Sequence, residues 1–321
     1  AQARELFFQS NAVALEIRAR AADALADFGP ANLNRVFFVN SGAEANENAL
    51  RIALRKTGRN KVLAIEHGFH GRTAAAGAVT WGASESWYGF PQKPFGVGFI
   101  PRDDIDAAAA MIDDSTGAVI IELVQGVAGA YDLAPDFVTA IGRACKAHGV
   151  VLIVDEVQTG VGRCGAPFAT DLYDIEADLL TTAKALGTGF PCGALLLTDE
   201  LAAGMNPGDL GTTFGGGPLA CALIETVINT IRRDKLLDNV TALSERLRNE
   251  CIGGPVSAVS GKGFLLGLHC ENGAGDLRRQ LLEQNVLVGS SSDPNVARLL
   301  PPLTLNREHV DTLIEALKNS G

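Results

Sequence analysis

Lys184 stands between a short apolar run, Leu179-Leu180-Thr181-Thr182-Ala183, and a turn rich in glycine, Ala185-Leu186-Gly187-Thr188-Gly189. Earlier in the chain, the apolar segment Val150–Val154 ends in a carboxylate, Asp155. A buried charge needs a partner, so Asp155 is expected to face a cation. A structural ion pair with Arg163 is one choice. The other is a protonated pyridine nitrogen, with Lys184 supplying a Schiff-base amine. Those two groups are what pyridoxal phosphate (PLP) needs to be anchored and to act as an electron sink.

Other segments carry chemistry of a compatible kind. Ser41-Gly42-Ala43-Glu44 opens a helical pattern; Ser41 can cap it, with Glu44 completing a capping box. The free amides of a helix start make an anion site, and Gly42 permits close backbone approach. Taken alone, this run is no more than a cap. With Thr212-Thr213 and the following glycines, a divided phosphate cradle becomes possible. Glu66-His67-Gly68-Phe69-His70-Gly71-Arg72-Thr73 offers an aromatic ring suited to stacking on a cofactor. It also offers a guanidinium suited to gripping a carboxylate.

The elements that must position these groups follow from the apolar pattern. Short runs at Arg35–Val39, Lys61–Ile65, Val97–Ile100, Ala118–Leu123, Val150–Val154, Leu179–Thr182 and Ala194–Leu197 read as strands, with helices such as Glu44–Lys56 and Pro135–Ala147 between them. Continuous apolar strands alternating with helices predict an α/β domain built on a mainly parallel seven-stranded sheet, covered on both faces. Ligands in such sheets bind beyond the carboxyl ends of the strands. Ser41, Phe69, Gln125 and Asp155 all fall there. After Gly215-Gly216-Gly217, a long helical stretch (Leu219–Arg233, Leu237–Cys251) leads to Phe264–His269, Val286–Val288, Arg298–Leu300 and a closing helix at His309–Lys318. The expected division is a large domain over 1–215, then a linking helix and a smaller α+β domain over 216–321.

Composition narrows the function classes. The 321 residues carry a net charge of −10, which argues against nucleic acid as a main partner. The strongest basic cluster, Arg232-Arg233 with Lys235, reads as a solvated helix face. No apolar run is long enough for a membrane span, and the first residues lack the pattern of a signal peptide. Six scattered cysteines show no metal spacing and read as reduced thiols. A cytoplasmic enzyme without a metal is expected. No Gly-x-Gly-x-x-Gly follows the first strand, against a dinucleotide-binding fold.

Seven blocks in order carry a resemblance. They are Asn40-Ser41-Gly42-Ala43-Glu44-Ala45-Asn46-Glu47, His67-Gly68-Phe69-His70-Gly71-Arg72-Thr73, Val124-Gln125-Gly126, Asp155-Glu156-Val157-Gln158-Thr159-Gly160, Lys184-Ala185-Leu186-Gly187, Gly211-Thr212-Thr213-Phe214-Gly215-Gly216 and Arg298-Leu299-Leu300-Pro301-Pro302-Leu303. Together they resemble the class-III aminotransferases of the ornithine and acetylornithine type, PLP enzymes of fold type I. The resemblance implies that Lys184 holds PLP and moves protons, and that Asp155 pairs with the pyridine nitrogen. Gln158 would lie near the ring hydroxyl and Phe69 on the ring face. Ser41, Gly42 and Ala43 would hold the phosphate, with Thr213 reaching the phosphate of a partner subunit in a homodimer. Arg72 and Arg298 would bind substrate carboxylates. The implied reaction moves an amino group from an amino acid to an oxo acid such as 2-oxoglutarate. An aminomutase, a decarboxylase on the same scaffold, or a PLP-binding chain of little activity are the alternatives.

Two departures stand out. Ornithine-type members typically place a glutamate after Gln-Gly, where it masks the arginine matching Arg298. Here the residue is Val127. Asp132 is a candidate replacement, and without a mask Arg298 is expected to favour α-amino over ω-amino donors. The chain also opens on Ala1-Gln2-Ala3-Arg4-Glu5-Leu6-Phe7-Phe8, which has no cap and reads as mid-helix, as if an N-terminal segment were missing.

Overall fold

The computed structural model describes residues 1–320. In chain order the strands are β1 Arg35–Val39, β2 Lys61–Ile65, β3 Gly96–Ile100, β4 Ala118–Ile121, β5 Val124–Gln125, β6 Tyr131–Asp132, β7 Val151–Asp155, β8 Leu179–Thr182, β9 Gly193–Leu197, β10 Val256–Lys262, β11 Leu265–Cys270 and β12 Val296–Leu299. Seven of them form one sheet in the order β1-β9-β8-β7-β4-β2-β3. The pairings from β8 to β3 are all parallel. β9 alone runs against its neighbours.

Successive strand residues point to opposite faces, and both faces are covered. Leu63, Val119, Leu152, Val154 and Leu180 enter a core with helices Glu16–Phe28, Pro135–His148 and Pro218–Arg233. Val62, Ala64, Ile120, Ile153 and Leu179 enter a second core, against helix Gly42–Thr57. This two-sided burial is why the strands read as unbroken apolar runs. The linking helix Pro218–Arg233 buries Ala220, Cys221, Ile224, Ile228 and Ile231 in the first of these cores. A separate C-terminal core begins at Val240 and gathers around the antiparallel sheet β10-β11-β12.

Several expectations need correction. The run Ala118–Leu123 leaves the sheet after Ile121, and Val124–Gln125 forms a small antiparallel pair with β6. Val286–Val288 is not a strand. Val286 N–H instead closes the preceding helix onto the Leu281 carbonyl, Leu287 is 83% exposed, and only the next residue, Gly289, is bridged, to Arg298. β10 was not visible beforehand because its mixed burial and Ser257-Ala258-Val259-Ser260-Gly261 lack an apolar run. The opening residues form one turn, Gln2–Glu5, that buries nothing. Leu6 is already extended, and Phe7 and Phe8 are exposed. The basic cluster is a solvated face, with Arg232 paired to Asp27 and Arg233 to Asp234. The six cysteines are free and buried. Among the described residues no helix is long and apolar enough to cross a membrane, and no acidic, histidine or cysteine group forms a metal cluster.

Candidate active site

A cavity of about 480 Å³ opens where the parallel strands end. Its walls come from the loops after β1, β2, β4, β7 and β8, with Pro191 and Cys192 just before antiparallel β9 closing the edge. Parallel alignment puts all five carboxyl ends on one rim, so residues far apart in sequence converge there.

Asp155 ends β7 in register with Thr181 of β8, and Lys184 follows three residues later. Lys184 starts a short 3-10 turn with φ +43, a left-handed conformation unusual for a residue with a Cβ. Backbone strain of this kind concentrates at functional sites. Its amine opens to the cavity and has no hydrogen-bond partner among the described residues. Surrounding protein desolvates it and lowers its proton affinity, a shift that the Asp155 and Glu122 charges oppose.

Asp155 is 3% exposed and does not pair with Arg163. That arginine donates to the carbonyls of Phe264 and Pro301. Asp155 is instead braced on one oxygen by Asn46 Nδ2 and His70 Nδ1, each at 2.8 Å, and on the other by the Val157 N–H at 3.0 Å. Asn46 is a buried hub: it also donates to the His70 carbonyl at 2.7 Å and accepts from the Thr181 hydroxyl at 2.7 Å. The adjacent carboxylate has a different task. Glu156 is buried and satisfied by Thr159, Ala169 and Thr170, tying down the loop behind the site.

Ser41 caps helix Gly42–Thr57 by accepting the Glu44 N–H at 3.2 Å. The expected capping box is displaced by one residue, because the Glu44 carboxylate reaches the Asn40 N–H and side-chain amide, at 3.1 and 2.9 Å. As first-turn groups, the Gly42 and Ala43 N–H have no intrahelical acceptors, and both residues line the cavity. Gly42 is glycine for a reason the sequence did not show: a Cβ there would meet Val157 methyls at 2.8 Å. Gln158 also lines the cavity and lies against Gly126, where a Cβ would sit 2.5 Å from its amide.

Phe69 and Arg72 line the same cavity. Thr213 does not; it is exposed on a loop that Thr212 secures to Asn40 and Gly215. Arg298 lies on the flank, half-buried, donating to the carbonyls of Gly126 (2.9 Å) and Ser290 (2.5 Å). It is near enough for its charge to lower the Lys184 proton affinity further. Asp132 does not replace the missing mask. It is held instead by Lys262 and the Gly261 N–H.

Three contributors were not assigned beforehand: Asn46, His70 and Glu122. Glu122 is 3% exposed and accepts the Phe69 N–H at 2.8 Å and the Gly126 N–H at 3.4 Å. Burial pushes its carboxyl up to about 7, against the opposing charges of His70 and Lys184. A signal for it existed. Glu122 follows an apolar strand just as Asp155 does, but it was hidden inside the run Ala118–Leu123.

The residues present fit PLP. A lysine amine with no hydrogen-bond partner among the described residues and a braced carboxylate share one cavity with helix-start amides and an aromatic ring. Comparison with known proteins agrees. The model of the family "Aminotransferase class-III" matches residues 1–320. The chain belongs to the class-III aminotransferases. It is 39% identical over 296 residues to an acetylornithine aminotransferase of Methanocaldococcus jannaschii, covering 89% of this chain and 74% of that protein. It is 36% identical to that of Bacillus subtilis, covering 97% of this chain and 81% of the relative. The crystal structure of ornithine aminotransferase from Toxoplasma gondii superposes with a TM-score of 0.90 at 28% identity, over 99% of this chain and 79% of that one. A transaminase from Virgibacillus, at 24% identity and TM-score 0.92, shares the fold. This class-III aminotransferase therefore has the PLP fold type I architecture, uses pyridoxal phosphate and catalyses transamination.

Proposed function

We propose that Lys184 anchors PLP and shuttles the proton of the reaction, while Asp155 holds the proton on the pyridine nitrogen. The observation that carries this reading is the Lys184 amine, without a hydrogen-bond partner among the described residues, lining the same cavity as a braced carboxylate. When bound, PLP supplies the electron sink that makes a C–H bond beside the donor nitrogen acidic. Lys184, whose proton affinity the surrounding protein lowers, takes that proton and returns it at another carbon. Ser41, Gly42 and Ala43 bind the phosphate, Phe69 covers the ring, and Gln158 sits beside the ring hydroxyl. Arg72 and Arg298 take substrate carboxylates. The two units are residues 1–215 and 216–321, with the linking helix packed on the larger.

The same reading makes the enzyme a homodimer in which Thr213 completes the partner's phosphate site. Its exposure outside its own cavity supports this, as does the neighbouring exposed pair Phe8 and Phe214, with ring centroids 5.5 Å apart. Free, buried cysteines support work in the cytoplasm.

For the substrate, Val127 in place of a masking acid leaves Arg298 held, among the described residues, by backbone carbonyls alone. Neutral acceptors release a guanidinium more readily than a carboxylate does, so Arg298 is free to grip substrate in both half-reactions, favouring α-amino donors. Acetylornithine, the substrate in its relatives' names, is the second reading. A donor panel with 2-oxoglutarate as acceptor decides between them, read against Lys184→Ala. Retention of both the cofactor absorbance band and turnover by that variant would overturn the lysine assignment. A marked preference for N-acetylornithine over α-amino donors would overturn the donor assignment alone.

A further inference from the structure

Arg72 and Arg298 are held in opposite ways. Arg298 spends two donors on backbone carbonyls. Arg72 makes no hydrogen bond and no ion pair among the described residues. Its guanidinium carbon lies 4.4 Å from the centre of the Trp87 ring and 6.0 Å from that of Phe69. Glu47 makes no ion pair with Arg72; one oxygen of that carboxylate accepts the Ala75 and Ala76 N–H groups at 2.7 and 3.1 Å. What holds Arg72 at the cavity mouth is an aromatic face.

Trp87 is built to be that face. Its backbone N–H and that of Tyr88 both donate to the Ala83 carbonyl at 2.9 Å. The Tyr88 hydroxyl donates to the Ala74 carbonyl at 2.6 Å, clamping the segment onto helix Ala74–Ala78. Gly77 on that helix leaves room for it: a Cβ there would meet Tyr88 at 3.1 Å and Trp87 at 3.4 Å. A guanidinium over a ring is attracted by the π-face without using its N–H groups. An ion pair would occupy those donors and have to be broken by an incoming carboxylate.

We propose that Trp87 is a specificity-determining positioning residue, holding Arg72 with its donors free for a substrate carboxylate. This rests on the reading of Arg72 as a carboxylate-binding group, and the test separates the two. In the loaded enzyme, Trp87→Ala raises the KM for 2-oxoglutarate about two- to fivefold, the range a cation–π contact to an exposed arginine supports. Cofactor content stays full and kcat stays within about twofold, and Trp87→Phe recovers most of the loss because it keeps a π-face. A second readout needs no turnover. The chain has two tryptophans, so in a Trp81→Phe background Trp87 is the sole indole. Titration with glutarate, an unreactive dicarboxylate, then changes its emission saturably, and Arg72→Ala abolishes that change.

An unchanged KM in Trp87→Ala, with a KM raised at least tenfold in Arg72→Ala, overturns the role of Trp87 and leaves Arg72 standing. An unchanged KM in Arg72→Ala overturns the carboxylate reading and the proposal with it. Loss of cofactor and kcat together in Trp87→Ala, unrescued by phenylalanine, makes Trp87 a residue of the fold and overturns the proposal.

Discussion

Replacing Glu122 with glutamine measures what a buried carboxyl costs this fold. Its ordinary value of 4.5 is raised to about 7, chiefly because burial penalises the charged form. Between those two values the folded chain keeps a proton that the unfolded chain has released. Stability then falls as pH rises, by about 1.4 kcal/mol per pH unit. The full window from 4.5 to 7 integrates to about 3 kcal/mol, of which about 2 kcal/mol lies between pH 5.5 and 7. Above that the loss levels off, because both states are ionised. Glutamine keeps an oxygen for the Phe69 N–H, now accepted at 2.8 Å by Glu122, and does not titrate. The stability difference between wild type and Glu122→Gln should therefore move by about 2 kcal/mol, against the wild type, between pH 5.5 and 7.5. Urea unfolding of the cofactor-free protein at constant ionic strength measures it. Parallel pH profiles for the two proteins would refute the reasoning.

Asn46→Ala strips partners from the Thr181 hydroxyl, the His70 carbonyl and Asp155 in one step. A loss of about 2–4 kcal/mol in urea unfolding is expected from leaving such groups unsatisfied, together with faster PLP dissociation; wild-type values for both would count against the hub. Val127→Glu adds a carboxylate next to Gly126, whose carbonyl holds Arg298 at 2.9 Å. Specificity constants for a donor panel should then move toward ω-amines, and an unmoved ratio would show that this position does not govern Arg298.

Much of the site was legible because strand ends announce themselves. Asp155 is a charge after an unbroken apolar run, and Lys184 stands before a glycine turn. Local pattern reports this directly, since a sheet covered on both faces forces apolar continuity along each strand. Gly42 was found for an incomplete reason, because a close neighbour such as Val157 cannot be seen from spacing. Asp132 was a fair substitute by charge and fails by direction, since β6 turns it toward Lys262 and β10. Val286–Val288 had the right residues for a strand and no neighbour to pair with.

The order of chemical blocks along the chain was enough to determine the family and the cofactor. Tertiary structure alone decided which side chains are held, and by what. It gave Asp155 its brace from Asn46 and His70, put Glu122 on the Phe69 and Gly126 amides, and left Arg72 on the face of Trp87. Those contacts join segments from different strands and loops, and their energies depend on distance, direction and burial. No one-dimensional pattern encodes these, because convergence at the rim of the sheet is created by strand order.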